Sequence, residues 1–245
     1  MIRFFVGQAD IYGDKIKLSA EDTAHIRSLR LQPSESFVVC DGKGTDYVCR
    51  LGDRDPGNAE IDHSAAVIVG RSPSAGEPSV SCVVYIALAK GDRLDYAVQK
   101  SVELGASAIV LFPSARCIAV PGDMGKKTVR LQRIALETAK QSGRGCIPSV
   151  TAAGSFDDAV KQAANAQTPL FFYECEDKTR LKDALLNGSD DYSIMTGPEG
   201  GFEPFEADLA RASGMVSVSL GSRILRCETA PAAVLSAIMF ITDNL

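Results

Sequence analysis

The run Tyr192-Ser-Ile-Met-Thr-Gly-Pro-Glu-Gly-Gly-Phe-Glu-Pro-Phe-Glu-Ala-Asp-Leu-Ala-Arg-Ala-Ser213 places three kinds of local structure in immediate succession. Tyr192 to Thr196 is a short, mainly apolar run of the length expected for a buried strand. Gly197-Pro-Glu-Gly-Gly-Phe202 follows, and its glycines let backbone approach a ligand and adopt dihedrals closed to other residues. Pro204 then stands at the favoured first position of a helix predicted to run to Ser213. Strand, glycine loop and helix in sequence form the unit of an α/β sheet, in which ligands bind beyond the carboxyl ends of strands.

The same alternation extends outward. Upstream lie the apolar run Val80 to Ala89, a helix near Arg93 to Leu104, the run Ala108 to Phe112 and a long helix near Lys126 to Ser142. A helix from Phe156 to Ala166, the run Pro169 to Tyr173 and a helix near Lys178 to Leu186 lead into the opening stretch. The run Val216 to Leu220 and a helix from Ala230 to Thr242 close the chain. This pattern predicts a parallel sheet covered by helices.

The first seventy residues differ. Ser36 to Cys40, Asp46 to Leu51 and Ala65 to Val69 read as strands, with hairpin chemistry at Asp41-Gly-Lys-Gly44. One helix is predicted from Ala20 to Leu29, with Ser19 as N-cap and Asp22 as its capping-box partner. Gly70-Arg-Ser-Pro-Ser-Ala-Gly-Glu-Pro-Ser79 has linker composition, so the expected domains are a small β-rich unit over 1–72 and an α/β unit over 73–245.

Composition narrows the function. The chain is 45% hydrophobic, its apolar runs fall short of the roughly 20 residues that span a bilayer, and its amino terminus lacks a signal-like core. A cytoplasmic protein is expected. Seven cysteines form no Cys-x-x-Cys pair and read as reduced thiols, and with two histidines no metal site is expected. The net charge of −5 argues against gripping nucleic acid with the whole surface. Between Arg116 and Arg144, however, seven basic residues stand against two acidic ones, which suits a docked RNA or ribonucleoprotein as well as a solvated helix face.

Two loops are unusual. Thr196-Gly-Pro-Glu-Gly-Gly201 lacks the Gly-Lys-Ser/Thr of a P-loop and the Gly-x-Gly-x-x-Gly spacing, and Glu199 suits a cationic or hydroxylated ligand better than a phosphate. Leu220-Gly-Ser-Arg-Ile-Leu-Arg226, followed by Cys227-Glu-Thr-Ala-Pro231, sets apolar Ile224 and Leu225 among arginines, with Thr229 placed to cap the next helix. Alone, the first could be no more than a tight strand-to-helix turn, and the second a turn pinned by an arginine pairing with Glu228.

In this order, roughly twenty residues apart, the two loops resemble the cofactor end of the SPOUT methyltransferases. More narrowly, the chain is similar to the bacterial 16S rRNA uracil-N3 methyltransferases, the RsmE group. Further matches are Lys90-Gly-Asp-Arg-Leu-Asp95, Gln99-Lys-Ser-Val-Glu-Leu-Gly105, Pro113-Ser-Ala-Arg116, Arg133 through Arg144 with Pro148, and His25-Ile-Arg-Ser-Leu-Arg30. Cys117, Cys227 and Ala115 depart from the pattern, which has Ser, Thr and an acidic residue there. The resemblance implies a PUA-like amino-terminal barrel, a catalytic domain with a carboxyl-terminal trefoil knot, a homodimer, and methylation of N3 of one uridine in 16S rRNA of the small ribosomal subunit. It also implies that S-adenosyl-L-methionine is held by Glu174, Thr196, Gly197, Pro198, Glu199, Gly200, Gly201, Leu220, Gly221, Ile224, Leu225 and Arg226.

Methyl transfer from a sulfonium is an in-line displacement, so the protein must chiefly align donor and acceptor. Uracil N3 carries a proton and lies on the pairing edge, so the base must be unpaired and deprotonated. Arg226 is the candidate cation for the developing uracil anion, and Glu228 either orients Arg226 or accepts the proton. Lys90, Arg116, Arg133, Gln141 and Arg144, with Arg3, Arg27 and Arg30 from the small domain, are the expected RNA contacts. Competing readings are another base or a ribose 2′-OH as acceptor, a non-catalytic RNA-binding regulator, and, ranked low for want of a histidine partner, Cys227 as a nucleophile.

Overall fold

A computed structural model of the chain describes residues 2–52, 63–118, 123–186 and 188–245. They fall into two compact units, Met1–Glu77 with Ala139–Ile147, and Pro78–Thr138 with Pro148–Leu245.

The first unit is a curled six-stranded sheet with one helix. Its strands are β1 (Arg3–Phe5), β2 (Ile11–Tyr12), β3 (Lys15–Lys17), β4 (Phe37–Cys40), β5 (Thr45–Leu51) and β6 (Ala65–Pro73), ordered β1-β4-β5-β6-β3-β2. Pairing is antiparallel except between β1 and β4. The β4–β5 turn closes because Asp41 Oδ1 accepts the Lys43 and Thr45 amides, while Gly42 and Gly44 take positive φ. Helix α1 (Ala20–Leu29) begins where the Ser19 hydroxyl accepts the Asp22 amide. The Asp22 carboxylate accepts from the Ser19 hydroxyl at 2.6 Å, a different return bond from that of the expected capping box. Phe4, Ile16, Ile26, Phe37, Val39 and Cys49 form the core.

The second unit is the α/β sheet. Strands β7 (Ser81–Ala87), β8 (Ala108–Phe112), β9 (Ser149–Ala152), β10 (Thr168–Phe172), β11 (Asp191–Thr196) and β12 (Val216–Val218) run parallel in the order β12-β10-β11-β7-β8-β9. Its helices are α2 (Arg93–Glu103), α3 (Met124–Ser142, whose last residues group with the first unit), α4 (Phe156–Ala163), α5 (Leu181–Ala184), α6 (Pro204–Ala212) and α7 (Ala230–Ile241). Helix α5 is far shorter than the expected Lys178 to Leu186, and β9 was not anticipated. Among the described residues no helix is long and apolar enough to cross a membrane.

Register decides where the site lies. Phe172, the last residue of β10, pairs with Thr196 at the end of β11 and with Val218 at the end of β12. Three neighbouring strands therefore end level, and their loops leave side by side.

Candidate functional site

Those three loops enclose a cavity of about 600 Å³, within the size range of small-molecule sites. Its wall is built from the ends of β10, β11 and β12, the glycine loop, the loop after β12 and Arg93 at the start of α2.

The glycine loop is held rigidly from beneath. Phe202 is 1% exposed and packs on Phe171 at 4.4 Å between ring centroids, within a cluster that includes Phe112 and Phe156. With Phe202 anchored, the preceding turn closes through the Gly201 amide bonding to the Pro198 carbonyl. Gly201 has φ +70°, and a Cβ on it would overlap the Glu174 carboxylate, whose Oε1 accepts the Phe202 amide. On the far side of the loop, Glu203 caps α6 in a reciprocal arrangement with Glu206, and Pro204 opens the helix.

Glu199 carries the polar chemistry of this loop. Its Oε1 accepts the Lys90 amide at 2.9 Å and the Arg93 guanidinium at 2.8 Å. Its Oε2 is shielded from solvent and, in the protein alone, meets no hydrogen-bond donor. Burial pushes the carboxyl up, but the Lys90 amide, the residue's own amide and Arg93 outweigh it and hold the group below the usual range. An ionised carboxylate fixed by the Lys90 amide and Arg93 thus stands in the cavity wall.

The loop after β12 begins with Gly221 at φ +95°, whose amide donates to the Ser219 hydroxyl. Ile224 and the Arg226 side chain are about four-fifths exposed at the rim, at 79% and 81%. The Glu228 side chain, at 15%, lies in the wall, with Oε1 3.9 Å from Arg226 and Oε2 4.0 Å from Arg93 Nε. The Cys227 thiol donates to Glu228 Oε2 at 3.3 Å. Burial first, and the neighbouring carboxylates next, push that thiol up to about 12, so it is no thiolate at neutral pH and the nucleophile reading loses its chemistry. Thr229 stands at the N-cap of α7 but its side chain makes no capping bond. The helix start is secured instead by the Thr229 and Ala230 amides bonding to the Arg226 carbonyl.

All twelve residues expected at the cofactor line this one cavity, as does Glu228. The expected RNA contacts are scattered by comparison. In the first unit, Arg27 and Arg30 are exposed on α1 and at its end, and Gln141 is exposed at the end of α3. Arg3 is instead drawn into a two-point pair with Asp46, and Arg144, 4% exposed, into another with Glu77. Their guanidinium groups are thus paired with carboxylates inside the unit. In the second unit Lys90 and Arg133 are exposed, and Arg116 binds Glu203 and the Gly200 carbonyl, bracing the glycine loop. Arg93 went unassigned because nothing in the Lys90–Asp95 run reveals a partner more than a hundred residues away. Among the described residues no group of three or more His, Cys, Asp or Glu is placed to hold a metal ion.

Comparison with known proteins agrees with this geometry. A family described as an RNA methyltransferase domain matches residues 76–239, and one described as an RNA methyltransferase PUA domain matches 18–62. The ribosomal RNA small subunit methyltransferase E of Synechocystis is 33% identical over 89% of this chain and 70% of its own length. That of Bacillus subtilis is 29% identical over 93% and 91%. The crystal structure of the Neisseria gonorrhoeae enzyme of the same name, bound to S-adenosyl methionine, superposes with a TM-score of 0.83 at 30% identity, covering 98% of both chains. With a methyltransferase domain matched over more than half of the chain, a PUA domain ahead of it and a relative at 33% identity, the chain belongs to the ribosomal RNA small subunit methyltransferase E family.

Proposed function

We propose that this protein transfers a methyl group from S-adenosyl-L-methionine to N3 of one uridine in 16S rRNA, acting in the cytoplasm as a homodimer on the assembled small subunit. The observation that carries the reading is the level ending of β10, β11 and β12, which gathers the three loops round one cavity lined by Glu174, Glu199 and Glu228. The solved relative, named a ribosomal RNA small subunit methyltransferase and bound to S-adenosyl methionine, supports the choice of donor. The strand order, with β12 beside β10 instead of β11, supports the knotted topology that the resemblance implies.

The residues present fit the donor. Apolar Ile224 and Leu225 suit an adenine face, and the wall carboxylates Glu174, Glu199 and Glu228 suit a hydroxylated or cationic ligand. When bound, the donor supplies an electrophilic methyl group on a sulfonium. The chain's own task is to align, to exclude water and to manage one proton and one negative charge. Rigid backbone over Phe202 provides alignment without reorganisation. Arg226, exposed at the rim, is the cation assigned to stabilise negative charge on a uracil oxygen of an extruded base. Glu228, half a wall residue and half an Arg226 partner, is the group available to orient that arginine or take the N3 proton. Arg226→Ala should lower tritium transfer to undermethylated small subunits by about a thousandfold while calorimetric donor affinity stays within a few-fold. Unchanged turnover would remove Arg226 from the mechanism.

A further inference from the structure

The geometry points to Arg93 as a positioning residue that ties the two cofactor loops together and sets the orientation of Glu228. This inference rests on the methyltransferase reading above and assigns a part to a residue that reading leaves idle.

Arg93 is the first residue of α2, anchored by the helix rather than by either loop. Its guanidinium donates to Glu199 Oε1 at 2.8 Å, in the loop after β11, and its Nε lies 4.0 Å from Glu228 Oε2, in the loop after β12. Glu199 and Glu228 are 29 positions apart in the chain, and Arg93 precedes both by over a hundred residues. No sequence-local constraint brings the two carboxylates to one wall, and two anions sharing a partly buried wall repel each other. A cation between them converts that repulsion into attraction.

The atoms divide in a consistent way. Glu228 Oε2 faces Arg93 and the Cys227 thiol, which leaves Oε1 for Arg226 at 3.9 Å. The result is an alternating row, Glu199, Arg93, Glu228, Arg226, running from the shielded oxygen at one end to an arginine 81% exposed at the other. Without Arg93, Glu228 has only Arg226 as a charged neighbour in this row and would draw it inward, away from the base it serves. Glu199, in contrast, keeps the Lys90 amide, so the glycine loop and donor affinity suffer less. Arg93 does not touch the reacting atoms and acts through Glu228 and Arg226.

The test is a double-mutant cycle on the full-length protein, with kcat read by tritium transfer to undermethylated small subunits and donor affinity by calorimetry with S-adenosylmethionine. Arg93→Gln should lower kcat by about ten- to a hundredfold with donor affinity within about threefold, and Arg93→Lys should recover a substantial part of the loss. Combined with Glu228→Gln, it should cost no more than the worse single change. A thermal melt within a few degrees of wild type would show that the loss is not one of folding. Should Arg93→Gln turn over as wild type, should its effect multiply with that of Glu228→Gln, or should Arg93→Lys rescue nothing, the assignment of Arg93 is overturned while the function stands. If the wild-type protein binds the donor but methylates no small-subunit rRNA, the function fails, and the role of Arg93 fails with it.

Discussion

At the scale of single residues, the site depends on positions where only one side chain fits. Gly201 is the sharpest case, because φ +70° strains any other residue and a Cβ would have to displace the adjoining Glu174 carboxylate. Gly201→Ala should destabilise the protein by about 1–3 kcal/mol. It should also weaken donor binding, because displacing Glu174 breaks its bond to the Phe202 amide. Thermal melts and calorimetry check both. A second expectation concerns Cys227. With its thiol pushed up to about 12, timed alkylation by iodoacetamide at pH 7.5 (roughly the neutral range in which a free thiol reacts) should label exposed Cys175 well before Cys227, as read by peptide mass spectrometry. The glycine loop could be read from sequence because Gly, Pro and Glu announce backbone chemistry locally. Arg93, Arg3 and Arg144 could not be placed, since an arginine's partner is chosen by tertiary contact.

At the scale of elements, the sequence-based reading succeeded where periodicity and capping are strong and failed where they are weak. Helix α1 was located from Ser19 and its pattern, and α6 from Pro204. Strand β9, Ser149-Val-Thr-Ala152, buries only Val150 and offers no run to recognise. The stretch Lys178 to Leu186 is rich in helix formers, yet only one turn forms, because Arg180 and Ser219 pair as a β-bridge and hold the chain extended just before it. The return of Ala139–Ile147 to the first unit left no mark in composition. It is secured by Glu77, which accepts the Gly145 and Cys146 amides and the Arg144 guanidinium.

This cluster has a pH signature. Burial raises the Glu77 carboxyl, but Arg144 and the two amides outweigh it, so the folded value lies below the unfolded one. Its stabilisation is therefore complete above the ordinary carboxylate range and is lost as pH falls through the folded value. Urea midpoints should drop on acidification, and Glu77→Gln should both flatten that dependence and cost about 3 kcal/mol at neutral pH, because Arg144 stays buried without its carboxylate. An unchanged midpoint in Glu77→Gln would show that the pair contributes nothing net.

At the scale of the molecule, charge and topology point to a selective partner. A chain of net charge −5, with seven basic against two acidic residues over 116–144, lacks the field to hold naked RNA generally. Transfer to assembled small subunits should then exceed transfer to free 16S rRNA by about tenfold or more in kcat/KM at physiological salt, as assembled protein and RNA shape supply what charge does not. The α/β class was legible because alternation of strands and helices is a physical pattern; strand order was not, since no local preference reports which strands become neighbours. The claim on which everything else rests is that the loops after β10, β11 and β12 present a methyl donor to the pairing edge of a uridine. Its most direct test is nuclease digestion and mass spectrometry of small-subunit rRNA after reaction with isotopically labelled S-adenosylmethionine. The label should appear in 3-methyluridine at a single position; label in a ribose, in another base or spread over many sites would contradict the account.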